Sequence, residues 1–348
     1  MRLRRHRPLS PETLGPGAVL RGRLWCGDGT EYDDGRVAVD AFGTVVAVGA
    51  AAEVQVPYGS LEIDGAWVGP GLVDAHVHLA FGSPAEMLTG GVVAVRDLGA
   101  PLEQATRWRA LDGPRVRIAG PLLTAPGGYP SRSWGKDGFA LFVDDAESAR
   151  GLVTGLASVT DVIKLALEPA GGPVMSPALA AAVVDAAHAA GVEVTCHALA
   201  VDMVERALDA GVDELAHTPT EPLPAELVAR VASAGVRVVS TLHTFVRGGS
   251  GRAALANATA LAAAGVPLRY GTDLGNTGIR TGADVRELAL LADAVGLGAE
   301  ATLRAATEPV EVGRPAGLCV LDHDPRERPE SWRHPRAVVV GPTLLLGT

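Results

Sequence analysis

Apolar residues along this chain fall into short runs of about four to eight, separated by alanine-rich stretches long enough to form helices. Five runs open alike: GVVAVRD from Gly91, GVEVTCH from Gly191, GVDELAH from Gly211, GVRVVST from Gly235 and GVPLRYGTD from Gly265. Each glycine reads as the left-handed residue that ends a helix, and each following valine as the start of a strand. The segment SPALAAAVVDAAHAAG shows the whole unit, with Ser176 as N-cap, Pro177 at the first helical position and Gly191 closing the helix. Strands alternating with helices in this way mean βαβ units and a parallel sheet.

Eight strands are predicted, over 72–78, 92–97, 115–120, 161–167, 192–197, 212–217, 236–241 and 267–273. They close most simply into an α/β fold, a (β/α)8 TIM-like barrel. Both flanks, AVLRGRLWCGDGTEYDDGRVAVDAFGTVVAVGA and LCVLDHDP onward, have short strands, Gly and Asp turns and no helical period. The expectation is a catalytic barrel over 69–311 and a small β-sandwich domain built from both chain ends, 1–68 and 312–348.

Composition narrows the partners. The chain is 47% hydrophobic and only 4% aromatic, which suits small-residue helices on a valine-rich sheet. A formal net charge of −10 argues against nucleic acid or an anionic membrane surface, so the expected partner is a small-molecule substrate, with a homo-oligomer left open. The basic stretch Met1–Arg7 is followed by Pro8, Pro11 and Pro16 rather than an apolar run, unlike a signal peptide. Three widely spaced cysteines, Cys26, Cys196 and Cys319, fit a cytoplasmic location better than a disulfide framework.

Candidate chemistry begins at GPGLVDAHVHLAF, residues 69–81, an apolar run carrying Asp74, His76 and His78. On a strand, residues i and i+2 share a face with Cα atoms roughly 6.5 Å apart, so both imidazoles can converge on one cation. Taken alone, the pattern fits core histidines as well as a metal site. The repeat adds weight, because Asp97, His197, His217 and Thr241 all stand six residues after a unit glycine, and Asp273 ends strand eight. Those are C-terminal strand ends, the face on which barrels build active sites.

Lysine is nearly absent. The chain has two, Lys136 and Lys164, beside 28 arginines, and Lys164 lies within predicted strand four in DVIKLAL, where an unpaired cation is costly to bury. An amine can lose its proton and act as a nucleophile, which a guanidinium cannot. The competing reading is a stem lying along the strand with its ammonium reaching solvent at the barrel end.

Together DAHVH on strand one, VRDLG on two, VIKL on four, CH on five, AH on six and GTD on eight, with the tail EVGRPAGLCVLD, resemble the amidohydrolase superfamily over essentially the whole chain. The nearest branch is the prolidase-like and imidazolonepropionase-like hydrolases. The resemblance implies that His76, His78 and Asp273 hold one metal ion and His197 and His217 a second, bridged by Lys164 carboxylated to a carbamate. It implies two divalent ions, zinc first among them, and a metal-bridging hydroxide, with Asp273 as general base and then acid. The implied reaction is hydrolysis of an amide or other C–N bond, in a dipeptide, an N-acyl amino acid or a cyclic amide.

Two other functions stay open at this point. One is a mononuclear zinc deaminase of a nucleobase-like substrate, using His76, His78, His197 and Asp273 and leaving Lys164 without a bridging role. The other is a non-catalytic assembly protein on the same fold.

For substrate contacts, the glycine- and proline-rich stretch TAPGGYPSRSWGKDG reads as a mobile functional loop. In it Arg132 could pair with a substrate carboxylate, and Tyr129 or Trp134 could cover an apolar group. His243 is a candidate contact for the substrate carbonyl, and Arg96 and Asp97 a candidate ion pair near the first metal. His6, His188, His323 and His334 read as structural or solvent-facing.

Overall fold

The computed structural model describes residues 9–111 and 113–347, so the basic stretch Met1–Arg7 with His6 lies outside the described residues. All eight expected strands are present, at Leu72–Val77, Val92–Asp97, Arg115–Ile118, Ile163–Leu167, Val194–Ala198, Glu214–Leu215, Arg237–Val239 and Leu268–Arg269. Strands one to three pair in parallel, and so do strands four to eight. Strand three joins strand four where the Asp161 N–H donates to Ile118 O at 2.8 Å and the added strand Leu122–Thr124 pairs with Leu165. Strand eight returns to strand one through the Ala75 N–H to Tyr270 O (3.0 Å) and the His78 N–H to Leu274 O (2.8 Å). The barrel is closed.

Strands six and eight are shorter than the apolar pattern predicts. Past strand eight the backbone donors leave the ladder, the Tyr270 N–H going to Ala305 O and the Thr272 N–H to the Asp74 side chain of strand one, whereas past strand six the Ala216 N–H still reaches Cys196 O of strand five. Each group is satisfied.

The helices follow the repeat. Ser176 caps the helix Pro177–Ala189 by accepting the Leu179 N–H, and the five unit glycines, Gly91, Gly191, Gly211, Gly235 and Gly265, all have φ between 69° and 83°. A side chain there would strain the backbone, so the glycines let each helix stop and the next strand start.

The remaining strands form one mixed eight-stranded sheet from both chain ends, ordered Leu9–Thr13, Thr343–Gly347, Ala337–Val340, Gly317–Leu321, Leu61–Pro70, Gly17–Trp25, Glu31–Asp40 and Val45–Ala50. Val37 and Val39 share an apolar core with Val339 and Leu344, although several strands separate them in that order. The sheet therefore curls around its own core. Its strand Leu61–Pro70 runs directly into barrel strand one, and Trp25, Trp67 and Trp332 pack together beside the barrel core. Cys26, Cys196 and Cys319 are buried free thiols, and no helix of the described residues is long and apolar enough to cross a membrane.

Candidate metal centre

Strand one aims its two histidines as its geometry requires. Both present a ring edge to the rim: His76 Nε2 lies 3.4 Å, and His78 Nε2 3.5 Å, from Asp273 Oδ1. Carbonyl oxygens fix the tautomers, because His76 Nδ1 donates to Ala216 O at 2.8 Å and His78 Nδ1 to Gly99 O at 3.3 Å. Each Nε2 is thus left as a bare lone pair. Burial holds both imidazoles neutral, pushing His78 down to about 3 and His76 well below its ordinary value. Two lone pairs and a carboxylate, all acceptors, converge within 4.8 Å, and His76 Nε2 is buried with no hydrogen-bond partner among the described residues. This donor set fits a divalent cation.

Asp273 is held there by an uncommon backbone. Its φ is 55°, left-handed for a non-glycine residue, and its N–H donates to His76 O at 2.8 Å. Just before it, Gly271 passes so close to its neighbours that a Cβ would lie 2.3 Å from Val239 Cγ1 and 3.2 Å from His76 Cβ. The GTD sequence is therefore a packing requirement as well as a ligand position.

Lys164 does not reach solvent. It is 1% exposed, and its Nζ has no hydrogen-bond partner among the described residues. Burial pushes the amine down to about 7, against the opposing charge of Asp273. Its charge in turn depresses all four imidazoles, His76, His78, His197 and His217. Lys164 lines the same cavity as these four imidazoles and is buried there, so its amine does not snorkel out of the barrel.

His197 and His217 stand beside the first group, their ring centroids 4.8 Å apart and His217 4.5 Å from His76. His217 Nδ1 lies 3.1 Å from the Thr241 hydroxyl and 3.9 Å from Asp273 Oδ2. His197 Nε2 faces Glu168 Oε2 at 3.2 Å. Sequence reasoning missed Glu168. The available signal was position, since it directly follows strand four on the same rim as the histidines.

These residues line one cavity of about 630 Å³, with Phe81, Tyr129, Trp134 and Phe245 forming an aromatic wall. Tyr129 sits 4.7 Å, ring to ring, from His197, and its hydroxyl accepts the Trp134 indole N–H at 3.1 Å. The stretch read as a functional loop is anchored at two points, the Gly135 N–H donating to Pro130 O and Trp134 meeting Phe81 and Phe139, while Arg132, Ser133 and residues 136–138 are exposed.

Three expected contacts are placed elsewhere. Arg132 is exposed and lies over Gly127, off the cavity lining. His243 Nδ1 is 2.6 Å from Asp284 Oδ2, and the ring faces a neighbouring cavity. Arg96 and Asp97 do not pair, because adjacent strand residues point to opposite faces. Arg96 binds Glu214 inside the barrel, whereas Asp97 accepts the N–H groups of Leu79 and Gly99 and so supports the turn after His78.

Comparison with known proteins gives the family and the fold. Residues 67–309 match the model of the amidohydrolase family. An uncharacterised protein of Mycobacterium tuberculosis (strain ATCC 25618 / H37Rv) is 28% identical over 329 residues, covering 80% of this chain and 85% of its own. An imidazolonepropionase of Burkholderia lata is 45% identical over a 53-residue stretch, 14% of this chain and 13% of its own. Among solved structures, a candidate prolidase from Bifidobacterium longum superposes with a TM-score of 0.81 at 26% identity, covering 95% of each chain.

Proposed function

The chain belongs to the amidohydrolase family and is a metal-dependent hydrolase of carbon–nitrogen bonds; on that footing we propose that it works with two divalent cations joined through a carboxylated Lys164. The observation that carries this is the Lys164 amine, buried and unpartnered among four neutral imidazoles and Asp273. A neutral amine there can attack carbon dioxide. The new N–C bond forms as the amine proton leaves, and the carbamate presents two anionic oxygens in place of a nitrogen with no partner.

His76, His78 and Asp273 would hold one cation, and His197 and His217 the other, with zinc suited to such imidazole and carboxylate donors. Bound cations supply Lewis acidity toward a carbonyl oxygen and lower the pKa of a water. The residues do the rest. Asp273 takes a proton from the attacking water on its carboxylate and returns it to the leaving nitrogen, from a position at the cavity floor with its Oδ1 within 3.5 Å of the His76 and His78 Nε2 atoms. Tyr129 and Trp134 cover the substrate and exclude solvent from the reacting bond.

A one-metal deaminase is the second reading, favoured by one feature: His76, His78 and Asp273 form a three-donor cluster by themselves. Metal analysis separates the two. Two ions per chain, reduced in Lys164→Ala and partly restored by short carboxylic acids, support the binuclear centre. One tightly held ion that survives the substitution supports the deaminase.

A further inference from the structure

We infer that the substrate is an uncharged amide bearing an aromatic or bulky apolar group, and not a compound with a free carboxylate. The inference rests on the hydrolase reading above and concerns the half of the cavity away from the histidines.

Among the described residues lining the cavity, Lys164 is the only cationic side chain other than histidine, and it is committed to the floor of the site. Nearby arginines are all directed elsewhere. Arg132 is exposed over Gly127, Arg247 donates to Thr277 O, and Arg280 lines the separate cavity that holds His243. The remaining charged groups of the lining are the carboxylates Glu168 and Asp273.

The scissile carbonyl must sit at the histidine floor, so a distal carboxylate would lie against the aromatic wall. A carboxylate at that wall meets no cationic side chain, and the cations of the hydrolase reading would sit at the histidine floor with the scissile carbonyl. Ser133 and Thr244 already donate their hydroxyl protons to Pro130 O and Thr272 O, so it loses hydration with little in return. Phe81, Tyr129, Trp134 and Phe245 instead offer ring faces and edges to an apolar group, and the Ser133 and Thr244 hydroxyl oxygens can accept from an amide N–H. The formal charge of −10 further disfavours encounter with anions. A cavity of about 630 Å³ is large enough for a two-ring amide.

The test uses a matched pair, N-phenyl-2-phenylacetamide and the same anilide carrying a ring 4-carboxylate. Binding to metal-free protein is read from quenching of tryptophan fluorescence, with Trp134→Phe identifying the signal from the cavity. Turnover by metal-loaded protein is read from release of aniline or 4-aminobenzoate. The neutral member is expected to bind and turn over at least about tenfold better. A carboxylate that binds as tightly, or is cleaved as fast, overturns the inference and leaves the hydrolase reading standing. Preferential binding of the neutral member without cleavage upholds the inference and counts against that reading, and failure of both members to bind overturns the inference.

Discussion

Asp74 and Thr272 lock the first barrel strand to the segment that carries Asp273. Asp74 Oδ2 accepts the Thr272 hydroxyl at 2.6 Å, and Oδ1 accepts the backbone N–H groups of Thr272 (3.0 Å) and His76 (3.1 Å). All of these groups are buried, and together they fix the spacing between the donors of His76 and Asp273. Thr272→Val removes the hydroxyl and leaves a buried carboxylate oxygen short of a partner. The expected cost is about 1–3 kcal/mol in denaturant unfolding and about 10–100-fold in metal affinity by chelator competition. Unchanged affinity would show that the lock does not position the ligands.

Gly271 leaves no room for a side chain between Val239 and His76. Gly271→Ala is expected to destabilise the protein by about 1–3 kcal/mol through overpacking. Displacement of His76 should also lower the metal content. A variant that keeps both its melting temperature and its metal would contradict this packing.

Lys164→Met should act in opposite directions on two measurements. In metal-free protein it replaces a buried amine that has no hydrogen-bond partner with an apolar chain of similar length, and stability is expected to rise by about 1–3 kcal/mol, the cost of an unsatisfied buried polar group. Metal content and hydrolysis should fall together. A loss of stability in the metal-free state would mean that the amine has a partner there.

Glu214 links three strands inside the barrel. It accepts from Arg96, from Arg269 Nη1 at 3.1 Å and from the Thr195 hydroxyl at 2.9 Å. Burial alone would raise its carboxyl, but Arg96 and Arg269 outweigh burial and lower it from 4.5 to about 2. A depressed carboxyl contributes stability above its unfolded pKa and loses it as pH falls through the folded value. The wild-type protein should therefore lose on the order of 3 kcal/mol between pH 4.5 and about 2. Glu214→Gln should be less stable at neutral pH and should lack that acid-dependent loss, as urea unfolding across the pH range would show.

Much of the site was legible because the signals were local. His76 and His78 share a face by strand geometry alone, and the unit glycines placed His197 and His217 at strand ends without any knowledge of their neighbours. Lys164 stood out because the chain otherwise uses arginine. Glu168 escaped notice because its relevance depends on His197, 29 residues away, turning its Nε2 toward it. Arg132 and His243 were plausible by type and position, yet side-chain direction is decided by whatever packs nearby: Arg132 stands over Gly127 on its loop, and His243, in the helix Leu242–Gly248, turns to Asp284.

The sequence by itself determined the alternation of strand and helix, the closed barrel and the polar residues of its rim, since each follows from periods of a few residues and from glycines that only one backbone region suits. Tertiary structure alone decided the partners: Arg96 with Glu214 across 118 positions, and Asp74 with Thr272 across 198. Closing the barrel brings such distant groups within hydrogen-bond range. Which of them meet depends on how strand stagger and side-chain packing settle together, and no short window of sequence records that.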